Sequence, residues 1–221
     1  DLRPNNNNVQ STFFVTDNLF AKEDGPEQGI RSNGDGDWFV GNLYRMSGGN
    51  QEKYKATKAE IAFATDPNDL LISDVEATIY LFRVADTVDV NFINFEFDDF
   101  FSNNLDWLGV GSYSAPDTVA DYQLQSVDIV DFAGNAGIVL DPGTRYILAV
   151  GYAGLSKKTY HAFSDDVKMF FVSTLTYSDR WYTAGFGEDA NAVIRMTISL
   201  MTTTDNKPLP ESTMKVFPNP I

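Results

Sequence analysis

The chain has no cysteine and one histidine, His161, among its 221 residues. Disulfides, thiol nucleophiles and cysteine-ligated metals are therefore excluded, and so is a zinc site built on several histidines. Basic residues are also scarce. Sixteen Lys and Arg stand against 31 Asp and Glu, a formal net charge of −15 with His neutral. A field of that sign repels phosphate, so no nucleic-acid partner is expected. Nowhere does an apolar run approach the ~18 residues that a membrane-spanning helix needs. The first residues, Asp1-Leu2-Arg3-Pro4, include neither an initiating Met nor an apolar leader core. The sequence is expected to begin after a removed leader or at an imposed boundary.

What the chain has in quantity is aromatic. With 17 Phe and 10 Tyr, and 43% apolar residues, it can fill a core without staples, since a body of this length buries roughly 70% of its unfolded surface. Apolar residues recur with period two rather than 3.6. In residues 192–200, Ile194, Met196, Ile198 and Leu200 face one way while Arg195, Thr197 and Ser199 face the other, the pattern of a half-buried strand. Further strands are predicted at 13–15, 38–45, 58–65, 75–84, 122–130, 145–152, 168–174 and 180–185. Turn clusters such as Asp66-Pro67-Asn68-Asp69 and Asp141-Pro142-Gly143 separate them. Residues 21–37 read as a long surface loop, and only 91–105 could hold a short helix. Many short strands, with no repeat of 20 to 50 residues, predict an all-β fold: a two-sheet antiparallel β-sandwich or jelly roll with short flexible arms.

After Leu200 the composition changes to a polar, proline-bearing stretch at 202–211 that reads as a linker. It leads into Lys215-Val216-Phe217-Pro218-Asn219-Pro220. This segment resembles the start of the C-terminal sorting domain of Bacteroidetes proteins exported by type IX secretion, with Phe217 in place of the usual Tyr. The resemblance covers eight or nine residues. It implies export to the outer cell surface or medium, with the type IX machinery as a transient partner. Segments 38–44, 146–152 and 192–196 resemble jelly-roll surface modules found beside such tails. The organisation expected is a flexible segment at 1–11, a sandwich domain at 12–201, a linker at 202–212 and the beginning of a sorting domain at 213–221.

Four groups of residues could carry chemistry. Asn33, Asp35 and Asp37 alternate with Gly34 and Gly36, and three oxygen side chains so spaced can curl around Ca²⁺. An EF-hand is excluded, because its sixth position would be Trp38 and its twelfth Tyr44; a looser site with Glu23 or Asp24, or a plain Gly/Asp turn, remains. Glu96, Asp98 and Asp99 lie among Phe95, Phe97, Phe100 and Phe101. They could form a glycosidase acid–base pair, or simply a solvated loop anchored by its Phe residues. His161 would have to serve any Ser-His-Asp triad, yet no Gly-x-Ser-x-Gly elbow is present; a structural role is expected. Trp107, Trp181 and Tyr182 could stack on sugar rings or fill the core.

Two functions follow as expectations. The first is a secreted or cell-surface, non-catalytic module, structural or adhesive. One form of it is self-assembly into an extracellular filament, in which Phe13, Phe14 and Val15 add a strand to a neighbour's sheet. The second is a carbohydrate-binding or glycan-acting domain.

Overall fold

A computed structural model describes residues 15–16, 18–33, 36–48, 53–153, 158–165, 174–183, 185–187 and 190–201. The expected tail at 202–221, the Phe13-Phe14 segment and Asp35 lie outside these. The fold is all-β, with half of the described residues in strands and every pairing among them antiparallel. In chain order the strands are β1 (Val15–Thr16), β2 (Leu19–Phe20), β3 (Gln28–Ile30), β4 (Trp38–Arg45), β5 (Tyr54–Ile61), β6 (Phe63–Thr65), β7 (Glu76–Val84), β8 (Leu105–Ser114), β9 (Gln125–Asp128), β10 (Ile138–Leu140), β11 (Arg145–Tyr152), β12 (Thr159–Ser164), β13 (Thr174–Tyr177), β14 (Trp181–Tyr182), β15 (Asn191–Ala192) and β16 (Ile194–Leu200). One turn of 3-10 helix, Ile72–Asp74, precedes β7.

Three sheets form, where the sequence pattern predicts two. One has the order β14-β13-β4-β11-β7-β8. The second runs β1-β2-β16-β5-β10, with β9 also on β5, and the third holds β15, β12, β3 and β6. The third sheet arises from a fork. β16 pairs with β5 as far as Ile194 opposite Ile61; beyond that point the two chains part at Val193 and Ala62. β6 then pairs with the first half of β12 (His161 opposite Phe63) and β15 with its end (Phe163 opposite Ala192). Because β12 is antiparallel to both, β15 and β6 run in the same direction, one after the other, along one of its edges. Ala162 closes the junction: its N–H donates to the Ala62 carbonyl at 2.9 Å and its carbonyl accepts the Val193 N–H at 2.9 Å. β3 pairs along the other edge of β12.

Near the fork the edge of β15–β16 extends past β2, which pairs only with Met196 and Thr197. Side chains of β4 take over the bonding that a strand would supply. The Asn42 amide donates to the carbonyls of Ala192 (2.8 Å) and Ile194 (3.1 Å), and the Tyr44 hydroxyl donates to Ile194 as well. Thr174 donates to Asn42 Oδ1 at 2.9 Å and accepts the Ala192 N–H at 3.3 Å. Beside this network Arg195 grips the fully buried Glu23 through Nε (2.7 Å) and Nη2 (3.0 Å). The predicted surface loop at 21–37 is thus partly core: β3 lies within it and Glu23 is sealed. Sequence pattern alone hides this, since the partner of Glu23 is 172 positions away.

The sheet that runs from β14 to β8 buries both of its faces. On the inner face Val40, Tyr44, Ile79, Leu81, Leu148 and Val150 meet Ala59, Ile61, Met196 and Ile198 of the opposing strands. The outer face carries Phe39, Phe82, Ile147, Ala149 and Leu175, and residues 85–104 fold over it to bury Val88, Phe92, Phe95 and Phe100. This covering segment is the stretch where a short helix was expected; it forms turns instead. Its polar side chains satisfy the backbone locally. Asp89 Oδ1 accepts the Asn91 N–H (2.7 Å), Asn104 Oδ1 accepts the Glu96 N–H (2.7 Å), and Asp99 Oδ1 accepts the Phe101 N–H (3.0 Å). Such bonds compete with a helical ladder. Arg145 secures the segment by donating to the carbonyls of Asp89 (3.0 Å) and Val88.

At the β8 edge the two layers meet directly. Val110 and Val130 exchange backbone hydrogen bonds of 2.9 Å. The approach requires glycine, because a Cβ on Gly109 would lie 2.8 Å from the Val130 carbonyl oxygen and one on Gly111 2.5 Å from that of Asp128.

The network at the fork yields a prediction. Asn42→Ala takes the side-chain donor from the Ala192 carbonyl and one of two from the Ile194 carbonyl, which keeps Tyr44, so it should cost about 1–3 kcal/mol and lower the midpoint of chemical denaturation with the m-value unchanged. A loss within ~0.5 kcal/mol of zero would mean that the fork does not depend on this side chain.

Candidate binding cleft

A cleft of about 260 Å³ opens where the end of β3, the start of β4 and the β13–β14 hairpin meet. Arg31, Ser32 and Asn33 form one side. Thr176, Tyr177, Ser178 and Tyr182 form the other, with Trp38 at the base and Phe186 at the rim. The hairpin exists because β13 pairs with β4 over four residues and β14 folds back on it, Thr176 opposite Tyr182. The covering segment braces β14 by accepting the Trp181 N–H at the Phe97 carbonyl, 2.7 Å away.

Two rings project from this cleft, Tyr182 at 45% and Phe186 at 43% exposure. Each is held from beneath. The Tyr182 hydroxyl donates to Asp179 Oδ1 at 2.9 Å, and the Ser178 hydroxyl reaches the same oxygen at 3.2 Å. That bond to a carboxylate raises the Tyr182 pKa above the usual phenol range. Phe186 stands edge-on to Trp38 at 6.3 Å and to Phe163 at 5.4 Å between centroids. Arg31 lies over the Tyr160 ring, 4.8 Å from its centroid.

The structure separates the aromatic residues that the sequence grouped. Trp181 is sealed in the outer core, stacked on Phe100 at 5.3 Å and 14°. Tyr182, its neighbour, faces the cleft. Trp107 lies at the opposite edge of the sheet, in an exposed cluster with Phe101 (5.1 Å) and Phe132 (4.8 Å). Its indole N–H is engaged by the Gly109 carbonyl at 2.9 Å.

Of the proposed cation ligands, Asn33 lines the cleft and Asp37 is exposed nearby in sequence, while Asp35 lies outside the described residues. Among the described residues no three His, Asp or Glu side chains are grouped to hold a metal ion. Both oxygens of Glu23 are taken by Arg195, and Asp24 Oδ1 accepts the Ser164 hydroxyl at 3.0 Å. Glu96, Asp98 and Asp99 point to solvent from a segment whose Phe residues anchor it. Glu96 binds Asn103 through its backbone N–H (3.3 Å) and amide (3.1 Å), and Asp98 lies 3.9 Å from Arg180. They flank no shared cleft among the described residues.

Phe186, Tyr177, Ser32 and Ser178 went unremarked in the sequence. Phe186 left one signal: a large apolar residue between Gly185 and Gly187, in a turn with no alternation to bury it.

Comparisons with family models, curated proteins and solved structures gave no match to the chain. The cleft's chemistry therefore rests on its own geometry.

His161 is fully buried, with its Nδ1 2.8 Å from the Tyr152 hydroxyl. Burial lowers its pKa to about 3, against a weaker opposing pull from the Val193 backbone. The imidazole is neutral in the fold and takes up a proton near pH 6.5 in the unfolded chain. The stability it contributes is complete above pH 6.5 and is lost as pH falls toward 3. Between pH 7 and 4 wild-type protein should lose about 3 kcal/mol more than His161→Gln, at 1.36 kcal/mol per pH unit. Parallel stability curves for the two proteins would contradict the burial of a neutral imidazole.

Proposed function

We propose that this is a non-catalytic contact module, adhesive in character, displayed on the outer cell surface or released from it. The carrying observation is the composition of the cleft. Among the described residues its lining is rings, hydroxyls, one amide and one arginine, with no carboxylate and no histidine. Such a lining can hold a ligand but has no acid–base pair to act on one. The single histidine sits in the core as a neutral structural group. Export is supported by the resemblance of residues 215–220 to a type IX sorting segment.

The described edge strands also bear on how contact is made. β1 and β14 have two residues, β3 and β10 three, and β9 four, while the ten-residue edge strand β8 has Val110, near its middle, already bonded to the Val130 backbone. Short edges offer little backbone for strand addition, and Val15–Thr16 already pair with β2 of their own chain. Contact through side chains is the form this geometry favours.

The test uses the full-length precursor in a bacterium competent for type IX secretion. Intact precursor should become accessible to external protease, and deletion of residues 214–221 should retain it in the periplasm. Purified protein incubated with a panel of polysaccharides should release no reducing ends. Surface exposure without residues 214–221 would remove the export reading; hydrolysis would remove the non-catalytic one.

A further inference from the structure

We infer that the cleft beside the β13–β14 hairpin is a subsite for one neutral pyranose ring. This rests on the reading of the protein as a non-catalytic contact module and names what that module contacts.

Size sets the first limit. A space of about 260 Å³ falls below the ~300–1,000 Å³ typical of drug-sized ligands, and matches a single ring better than a peptide side-chain array. The lining sets the second. A pyranose has C–H faces and a rim of hydroxyls, so it needs flat apolar surface beside neutral donors and acceptors. Tyr182 and Phe186 supply two half-exposed rings, while Ser32, Asn33, Thr176 and Ser178 supply hydroxyl and amide groups around them.

Preorganisation is the third observation. Exposed aromatic side chains usually lose rotamer freedom when a ligand binds. Here Tyr182 is tied to Asp179, and Phe186 rests between Trp38 and Phe163. Both rings are held in place before any ligand arrives. Charge sets the last limit. The chain carries a net charge of −15, the Asp179 carboxylate sits on the Tyr182 hydroxyl, and the lining's one cation, Arg31, lies over the Tyr160 ring. A uronic or sialic acid would meet a repulsive field, so the sugar is a neutral one.

The test is saturation-transfer NMR on the full chain. Its probes are methyl glycosides of glucose, galactose, mannose and N-acetylglucosamine, with methyl glucuronide as the anionic arm. At least one neutral glycoside should bind with a Kd of about 1–10 mM, as expected for a single ring, and glucuronide should bind more weakly. Tyr182→Ala and Phe186→Ala should each weaken binding about tenfold, with far-UV circular dichroism showing that each variant keeps the wild-type fold at the temperature of the measurement. Tyr182→Phe keeps the ring but frees it from Asp179 and should fall between wild type and Tyr182→Ala. Phe132→Ala, at the far edge of the sheet, should bind as wild type does. EDTA should change nothing.

No transfer to any neutral glycoside would overturn the inference. So would binding that survives both alanine variants, is lost in Phe132→Ala, or favours glucuronide. Failure here with normal surface display and no hydrolysis removes only the sugar subsite. Failure of display or release of reducing ends removes the parent reading instead.

Discussion

The fold depends on a backbone junction. Where β5 and β16 part, two strands lose each other as partners, and their peptide groups would be left unpaired in the interior at a cost of about 1–3 kcal/mol each. Ala162 serves both strands at once, giving its N–H to Ala62 and its carbonyl to Val193. Asn42 and Tyr44 reach across from the facing sheet to the carbonyls that β2 leaves open. The residues at the meeting point, Ala62, Ala162 and Val193, are small to medium and fully buried, which lets three chains converge. β3 pairs with the outer edge of β12, so the placement of the cleft's Arg31 side follows from this junction.

A second constraint is that the sheet from β14 to β8 is apolar on both faces. Phe39 and Val40, adjacent in sequence, serve different cores. The cover over the outer face must bring its own apolar surface, and it does so with Phe92, Phe95 and Phe100. It must also satisfy its own backbone, which is the work of Asp89, Asn94, Asp99 and Asn104. The mixture of Phe with Asp and Asn that made this stretch ambiguous in the sequence is what such a cover requires.

Legibility followed the same division. β4 and β11 have the bounds that their apolar runs predicted, and the alternation at Ile194, Met196 and Ile198 marks the buried side of β16. β8, the longest strand, was not anticipated. Gly109 and Gly111 interrupt its pattern because the Val130 and Asp128 backbones press against it, a contact that no local period records. The single predicted strand at 58–65 is two strands at right of way to different partners, since the division at Ala62 depends on where β12 lies. Two of the cleft's ten lining residues were visible: Asn33 and Tyr182 were singled out, for different reasons, and the fold brings them to one place. Trp107 and Trp181 could not be told from Tyr182 by residue type, because burial of a ring is decided by what crosses it.

The covering segment also orders events in time. It follows β7 in the chain, yet part of the surface it seals belongs to strands made later, Ile147 and Ala149 in β11 and Leu175 in β13. Phe100 stacks on Trp181, a residue 81 positions downstream. Until that part of the chain has emerged, Phe92, Phe95 and Phe100 have no complete surface to dock on, and their contacts close long loops, which folds slowly. A nascent chain therefore carries these phenylalanines without their full cover until Trp181 has been made. The carboxylates of Glu96, Asp98 and Asp99 are interspersed in that run, where their charge opposes association between chains during the wait.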